Sequence, residues 1–303
     1  MKMFMDSLAD AVREKRSPLM VGLDPRLASL PEPLKVSKDA PLPDIAEAYR
    51  AFCCGVIDAV HEFTPIVKPQ VAFFEQLGPA GMEALLRVIE HASANNLLIC
   101  MDCKRGDIGS TAEAYADGWL GAESAWGADA LTVNPYLGDD SLAPFLTMAK
   151  ERDAGLFVLV KTSNPGGRKF QDLACSGATI YQRVGSMVEE FATETAGDCG
   201  YGLAGAVVGA TYPQQLSELR GAMPHTWFLV PGFGAQGGSA ADVAGAFDAS
   251  GLGAVVNSSR GVIFAFNQPQ GGGHSPDDWQ GAVRTAAEDA VKRLRSETSA
   301  GAL

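Results

Sequence analysis

Short apolar runs recur along this chain, each followed by a longer stretch in which apolar residues return at helical spacing. After an opening amphipathic helix over 3–16, the runs at 19–24, 65–69, 97–104, 130–134, 156–161, 205–208, 227–231 and 254–258 read as strands. Between and after them, 44–62, 79–95, 110–126, 140–151, 179–195, 212–221, 239–249 and 277–297 read as helices. The strands are apolar on both faces and alternate with helices, which predicts a parallel sheet covered on both sides. Eight such units on one chain fit an α/β fold of the (β/α)8 TIM-barrel type with an extra N-terminal helix. Periodicity alone leaves an open doubly wound sheet as the alternative. The barrel reading makes the whole chain one domain, with its core at about 19–297 and a mobile tail at 298–303. A proline-rich connection (31–43), a long loop (163–177) and a glycine-rich stretch (271–273) fall outside the regular units.

Composition narrows the function classes. With 36 acidic against 24 basic residues and a net charge of -12, the chain is a poor partner for nucleic acid or an anionic membrane surface. An anionic ligand would need a local cluster of donors. No uninterrupted apolar run opens the chain or is long enough to span a bilayer, which points to a cytoplasmic enzyme. Of the 6 cysteines, Cys100 and Cys103 form a CxxC within an apolar strand, so they point to opposite faces and cannot share a metal. Free thiols are expected throughout.

Barrel enzymes do their chemistry at the carboxyl ends of the strands, and there the charges collect. Strand one ends in Asp24, strand two in Lys68, strand three in Asp102 and Lys104, and strand five in Lys161. Charges at the ends of buried strands are costly unless they compensate one another, so the set predicts a network rather than separate rim salt bridges. Asp102 and Lys104, two apart, share a face, while Cys103 turns toward the helices. Asp107 falls past the end of the strand, before a helix capped near Ser110, and need not point into its own barrel. A lysine held between carboxylates suits proton donation to a carbanion better than Schiff-base chemistry, which needs the free amine.

Near the end of the barrel, Gly232, Gly234 and Gly237 have GxGxxG spacing between a strand and a helix. A dinucleotide fingerprint belongs in a first βαβ unit with an acidic residue after the next strand; here Asn257 and Arg260 stand in that place. The same glycines let backbone amides approach a phosphate, and the loops after strands seven and eight are the usual phosphate site of TIM barrels. A phosphate monoester gripped with help from Arg260 is therefore the favoured reading, over a dinucleotide or a merely flexible loop.

Taken together, Asp102-Cys-Lys104-Arg-Gly-Asp107-Ile108 followed by Thr111 resembles the DxKxxDI...T signature of orotidine 5'-phosphate decarboxylases. KRGDIGSTAEAY and TVNPYLG are similar to the longer bacterial subgroup called type 2, and the resemblance runs from Asp24 through Arg260. It implies a cofactor-free and metal-free carboxy-lyase that converts orotidine 5'-phosphate to uridine 5'-phosphate and carbon dioxide, the last step of pyrimidine nucleotide synthesis. Lys68, Asp102, Lys104 and Asp107 would form the catalytic network, with Lys104 stabilising and protonating the C6 carbanion. A homodimer is implied, Asp107, Ile108 and Thr111 completing the partner's site. Asp24 and Lys68 would hold the ribose and Ser163 the pyrimidine. Gln236, Arg260 and the amides around Gly234 would grip the phosphate, and Pro231, Gly232 and Phe233 would begin a loop that closes over substrate. Lys161 and the 163–177 loop depart from the shorter family members. Three rivals stay open: a metal-dependent sugar-phosphate decarboxylase that shares DxKxxD, a Schiff-base aldolase using Lys161 or Lys104, and a non-enzymatic nucleotide-binding protein.

Overall fold

The eight apolar runs become eight parallel strands: β1 (Leu19–Leu23), β2 (Ile66–Pro69), β3 (Leu98–Arg105), β4 (Ala130–Val133), β5 (Gly155–Lys161), β6 (Ala204–Val208), β7 (Phe228–Pro231) and β8 (Ala254–Ser258). In the computed structural model, which describes residues 2–234, 238–267 and 278–303, each strand pairs with its neighbours in sequence. β8 closes on β1 in the register Leu19 to Val256, and the sheet is a closed barrel rather than an open one.

Strand alternation sorts the apolar side chains into two cores. One set faces outward under the helices: Val21, Val67, Met101, Leu131, Val158, Val208, Val230 and Val256 belong to this larger core. The other fills the barrel: Met20, Ile66, Cys100, Ala130, Phe157, Leu229 and Val255 pack together with no more than 2% exposure. The N-terminal helix Phe4–Lys15 buries Phe4, Met5, Leu8 and Val12 in this inner core, so it plugs the amino-terminal end of the barrel. Phe4 meets Phe157 edge to face at 6.2 Å. Gly155 is what admits it, since a Cβ there would come within 2.1 Å of the Phe4 ring. With that end stoppered, the opposite end is left for a ligand.

The connecting helices are Leu42–Val60, Gly78–Ala94, Gly109–Leu120, Ala143–Arg152, Ile180–Glu194, Pro213–Ala222 and Trp279–Glu297. Among the described residues no helix is long and apolar enough to cross a membrane. Several expectations need correction. The helix after β3 starts at Gly109 with Ile108 as its N-cap, so Ser110 lies inside it, and it stops at Leu120 because the chain turns extended at Gly121. The helix expected over 239–249 is one turn, Ala240–Val243, capped by Ser239 and followed by the 3-10 turn Ala244–Ala246. There Gly245 packs so closely that a Cβ would lie 2.0 Å from Ser217 Oγ. The 163–177 loop carries a 3-10 turn, a helical turn (Arg168–Gln171) and half of a small hairpin pairing Ala174 with Thr179. The last six residues are not a loose tail in this structure. Ala300 is fully buried, Arg16 donates to the Leu303 carbonyl at 2.8 Å, and Ser299 donates to the Asp248 carbonyl at 2.7 Å.

Candidate active site

Toward the carboxyl ends, the inner face of the barrel changes from apolar to polar. Two residues beyond Ile66, Cys100, Ala130 and Val255 stand Lys68, Asp102, Thr132 and Asn257, all buried. Position 22 on β1 must be glycine at this level: a Cβ there would sit 2.9 Å from the Ser259 Cβ and 3.1 Å from Asn257 Oδ1. Asp24 follows in the same phase, at the mouth.

Asp102 is the centre of this layer. Its Oδ2 accepts from Lys68 Nζ at 2.6 Å and from Gln70 Nε2 at 2.8 Å; its Oδ1 accepts from Thr132 Oγ1 at 3.0 Å and from Lys104 Nζ at 2.5 Å. Burial by itself would raise the pKa of this carboxyl. The charges of Lys68 and Lys104, and the bonds they donate, outweigh burial and hold it well below the usual carboxylate range. Burial likewise works against the Lys68 ammonium, but Asp102, and then Asp24, push its pKa above the ordinary lysine value. The pair is therefore ionised despite its depth, with its partners' geometry satisfying both oxygens, as a buried ion pair requires.

Lys104 reaches Asp102 through a break in the strand. The pairing of β3 with β4 shifts register between Met101 and Arg105, and Lys104 has φ +50°. For a lysine this left-handed conformation costs on the order of 1 kcal/mol. It is held by the Lys104 amide, which donates to Thr132 Oγ1 at 2.9 Å. Thr132 thus fixes both the carboxylate and the backbone that carries the amine. The Lys104 side chain remains 45% exposed, so its amine faces the mouth while Asp102 anchors it from below. Cys103 turns outward against the helix-side core and Cys100 lies in the barrel interior, the opposite faces that alternation predicts.

Of the other expected members, Asp107 stands apart. It lies beyond the end of β3, half-buried, and its Oδ1 accepts the amide of the adjacent Ile108 at 2.8 Å. Ile108 and Thr111 are exposed. Lys161 does not join the network, which corrects the expectation of one compensating set. A register shift between Leu159 and Lys161 turns it away from the barrel axis, where it is fully buried, paired with Asp172 and packed near Tyr181 and Tyr212. Two network members, Gln70 and Thr132, were not singled out from the sequence. Their signal was position: Thr132 holds the same place on β4 as Asp102 on β3.

The other side of the mouth is built from the loops after β5, β6 and β8. Ser163, Arg168, Tyr212 and Arg260 line one pocket of about 660 Å³. Ser163 lies against Gly209, where a Cβ would approach within 2.8 Å. Arg260 is exposed, two residues past β8. After β7, Gly232 and Gly234 take φ +102° and +76°, and the chain closes on itself through Gly234 N–H to Gly238 O at 2.8 Å. Pro231 ends β7 half-buried, and Phe233 is 5% exposed and packed into the core. Gln236 lies outside the described residues. Asp24 Oδ1, Asn257 Oδ1 and Ser259 Oγ are buried without a hydrogen-bond partner among the described residues, three unmet polar atoms at the β1–β8 side of the mouth.

Comparison with known proteins bears on this arrangement. Residues 17–270 match the model of the orotidine 5'-phosphate decarboxylase / HUMPS family. An orotidine 5'-phosphate decarboxylase of Rhodopirellula baltica is 54% identical over 97% of this chain and 100% of its own length. One from Haloarcula marismortui is 43% identical over 96% of this chain and 97% of its own. The crystal structure of a Streptomyces avermitilis protein described as a putative orotidine 5'-phosphate decarboxylase superposes with a TM-score of 0.80 at 37% identity, covering 99% of this chain and 97% of that one. A closed barrel with a Lys-Asp-Lys cluster around a buried aspartate at one end and an arginine-lined pocket beside it, matched along nearly its whole length, places the chain in the orotidine 5'-phosphate decarboxylase / HUMPS family.

Proposed function

We propose that this chain decarboxylates orotidine 5'-phosphate to uridine 5'-phosphate and carbon dioxide, with Lys104 as the group that stabilises and then protonates C6. The observation that carries the proposal is the Asp102 carboxylate fixed between the Lys68 and Lys104 ammonium groups at the carboxyl ends of β2 and β3. Breaking the bond from C6 to the carboxylate leaves its electron pair on C6 as carbon dioxide departs. An ammonium already in place needs no reorganisation to meet that charge, and a proton then passes from Lys104 Nζ to C6. Lys104 recovers its proton from solvent. Asp102 orients the amine. Lys68, with Asp24 and its unmet Oδ1, serves the ribose hydroxyls; Ser163 serves the pyrimidine. Arg260, Gln236 and the amides at Gly234 serve the phosphate, whose binding energy helps close the loop that begins at Pro231.

The same reading makes the enzyme a homodimer in which Asp107 of the partner subunit, with its Ile108 and Thr111, completes each site. Two features support it. Asp107 makes no bond to Asp102, Lys68 or Lys104 of its own chain among the described residues. On the loops after β3, β4 and β5, Ile108, Tyr136, Leu137, Phe170 and Leu173 are 46–72% exposed, and the Tyr136 and Phe170 rings are in contact at 5.6 Å. Exposed large apolar side chains gathered on adjoining loops mark a face that a second copy would cover.

A metal-dependent sugar-phosphate decarboxylase, the rival within the family, needs an acidic residue on strand two. Lys68 occupies that place, buried and bound to Asp102. The direct test is the loss of orotate absorbance when purified protein meets orotidine monophosphate, with and without chelator. Equal rates in both support the proposal; no loss, or loss abolished by chelator, contradicts it.

A further inference from the structure

The 163–177 excursion places a second cation at the pocket lined by Arg260. Arg168 lines it too, its guanidinium carbon 4.9 Å from the centre of the Tyr212 ring. The same ring lies 4.5 Å from Lys161 Nζ. Lys161 is fully buried and neutralised by Asp172, which belongs to the excursion itself, so one ion pair ties the segment to the end of β5. Gln171 adds a second tie: its side chain accepts the Thr162 amide at 3.1 Å and donates to Thr162 Oγ1 at 2.7 Å. Arg168 is thus mounted on a segment tied down at its base by two adjacent contacts, and its guanidinium lies against the Tyr212 ring.

Charge gives the mounting its meaning. The chain has 36 acidic and 24 basic residues, yet the described lining of this pocket holds two arginines and no carboxylate. A groove of about 680 Å³ between helices Leu42–Val60 and Gly78–Ala94 also contains two arginines. There, Arg50 binds Glu47 at 2.7 Å and Arg87 binds Glu90 at 2.9 Å, so those charges are already met. The pocket beside Ser163 offers two guanidinium groups to one ligand, and a phosphate monoester near neutral pH carries close to two negative charges.

We propose that Arg168 is a second phosphate-binding residue, gripping the 5'-phosphate of the nucleotide together with Arg260, and that the 163–177 excursion is the support that holds it there. The substrate's identity rests on the function proposed above; the anion site does not.

The test uses the full-length protein with Arg168→Gln and Arg168→Lys. In each, kcat and KM for orotidine monophosphate are measured together with the dissociation constant for inorganic phosphate. Arg168→Gln should raise KM and the phosphate constant by about tenfold each, the effect of one lost charge-assisted contact, with kcat within about twofold. Arg168→Lys should recover most of the loss. An unchanged phosphate constant in Arg168→Gln overturns the proposal, as does a fall in kcat with KM unaltered, which would mean that Arg168 only shapes the loop. A wild type that binds phosphate but releases no carbon dioxide would overturn the assigned reaction and leave Arg168 to be judged by the phosphate constant alone.

Discussion

Asp102 is held by four side chains from three strands and the turn after β2, and each is placed by a different feature of the backbone. Thr132 is the most economical of them, because one hydroxyl accepts the Lys104 amide and donates to Asp102. Thr132→Val keeps the shape and removes both bonds, leaving a left-handed lysine without its tether. We expect kcat to fall by tenfold or more and stability by about 1–2 kcal/mol, as for a buried polar group left unmet. Activity within twofold of wild type would show that the bulge at Lys104 holds without Thr132. Lysine and aspartate at strand ends were legible in the sequence because buried charge is costly and conspicuous. Thr132 and Gln70 were not, since a neutral polar residue on a strand looks like any other. Neither was the bulge, because alternation assumes an unbroken register. The same assumption misplaced Lys161.

At the scale of elements, the apolar runs located all eight strands, since a strand buried on both faces has little freedom in composition. The helices were less legible at their ends, where a single glycine or a close contact decides: Gly121 ends one, and Gly245 against Ser217 shortens another. Asp129, just before β4, shows what such junctions do to a titrating group. Burial pushes its carboxyl up to about 6, against the bond it accepts from the Ile99 amide at 2.8 Å. A raised folded-state pKa means that the neutral form is favoured. The stability this gives is complete below the unfolded value near 3.8 and is lost as pH rises through about 6. Asp129→Asn keeps an acceptor for Ile99 and cannot ionise. Measured by urea unfolding, the variant should gain on wild type by roughly 1–2 kcal/mol between pH 4 and 7. Parallel pH profiles would show that Asp129 is better solvated than its surroundings imply.

Across the whole molecule the barrel separates its tasks by height: the N-terminal helix seals one end, apolar side chains fill the middle, and charge is confined to the other end. The proposed homodimer would extend that plan to two copies. A Lys104→Ala protein mixed with an Asp107→Ala protein should form hybrids in which one of the two sites has both residues intact. We therefore expect recovery of up to about a quarter of wild-type activity for random pairing. No recovery, with subunit exchange demonstrated, would confine each site to one chain.

The most direct measurement of the central claim is the turnover of Lys104→Ala with orotidine monophosphate, alongside its thermal unfolding. The account predicts a folded protein that unfolds near the wild-type temperature, still binds uridine monophosphate and has lost at least a thousandfold in kcat, since the stabilising charge and the proton both come from that amine. A folded variant that releases carbon dioxide at a rate near the wild type's would contradict it.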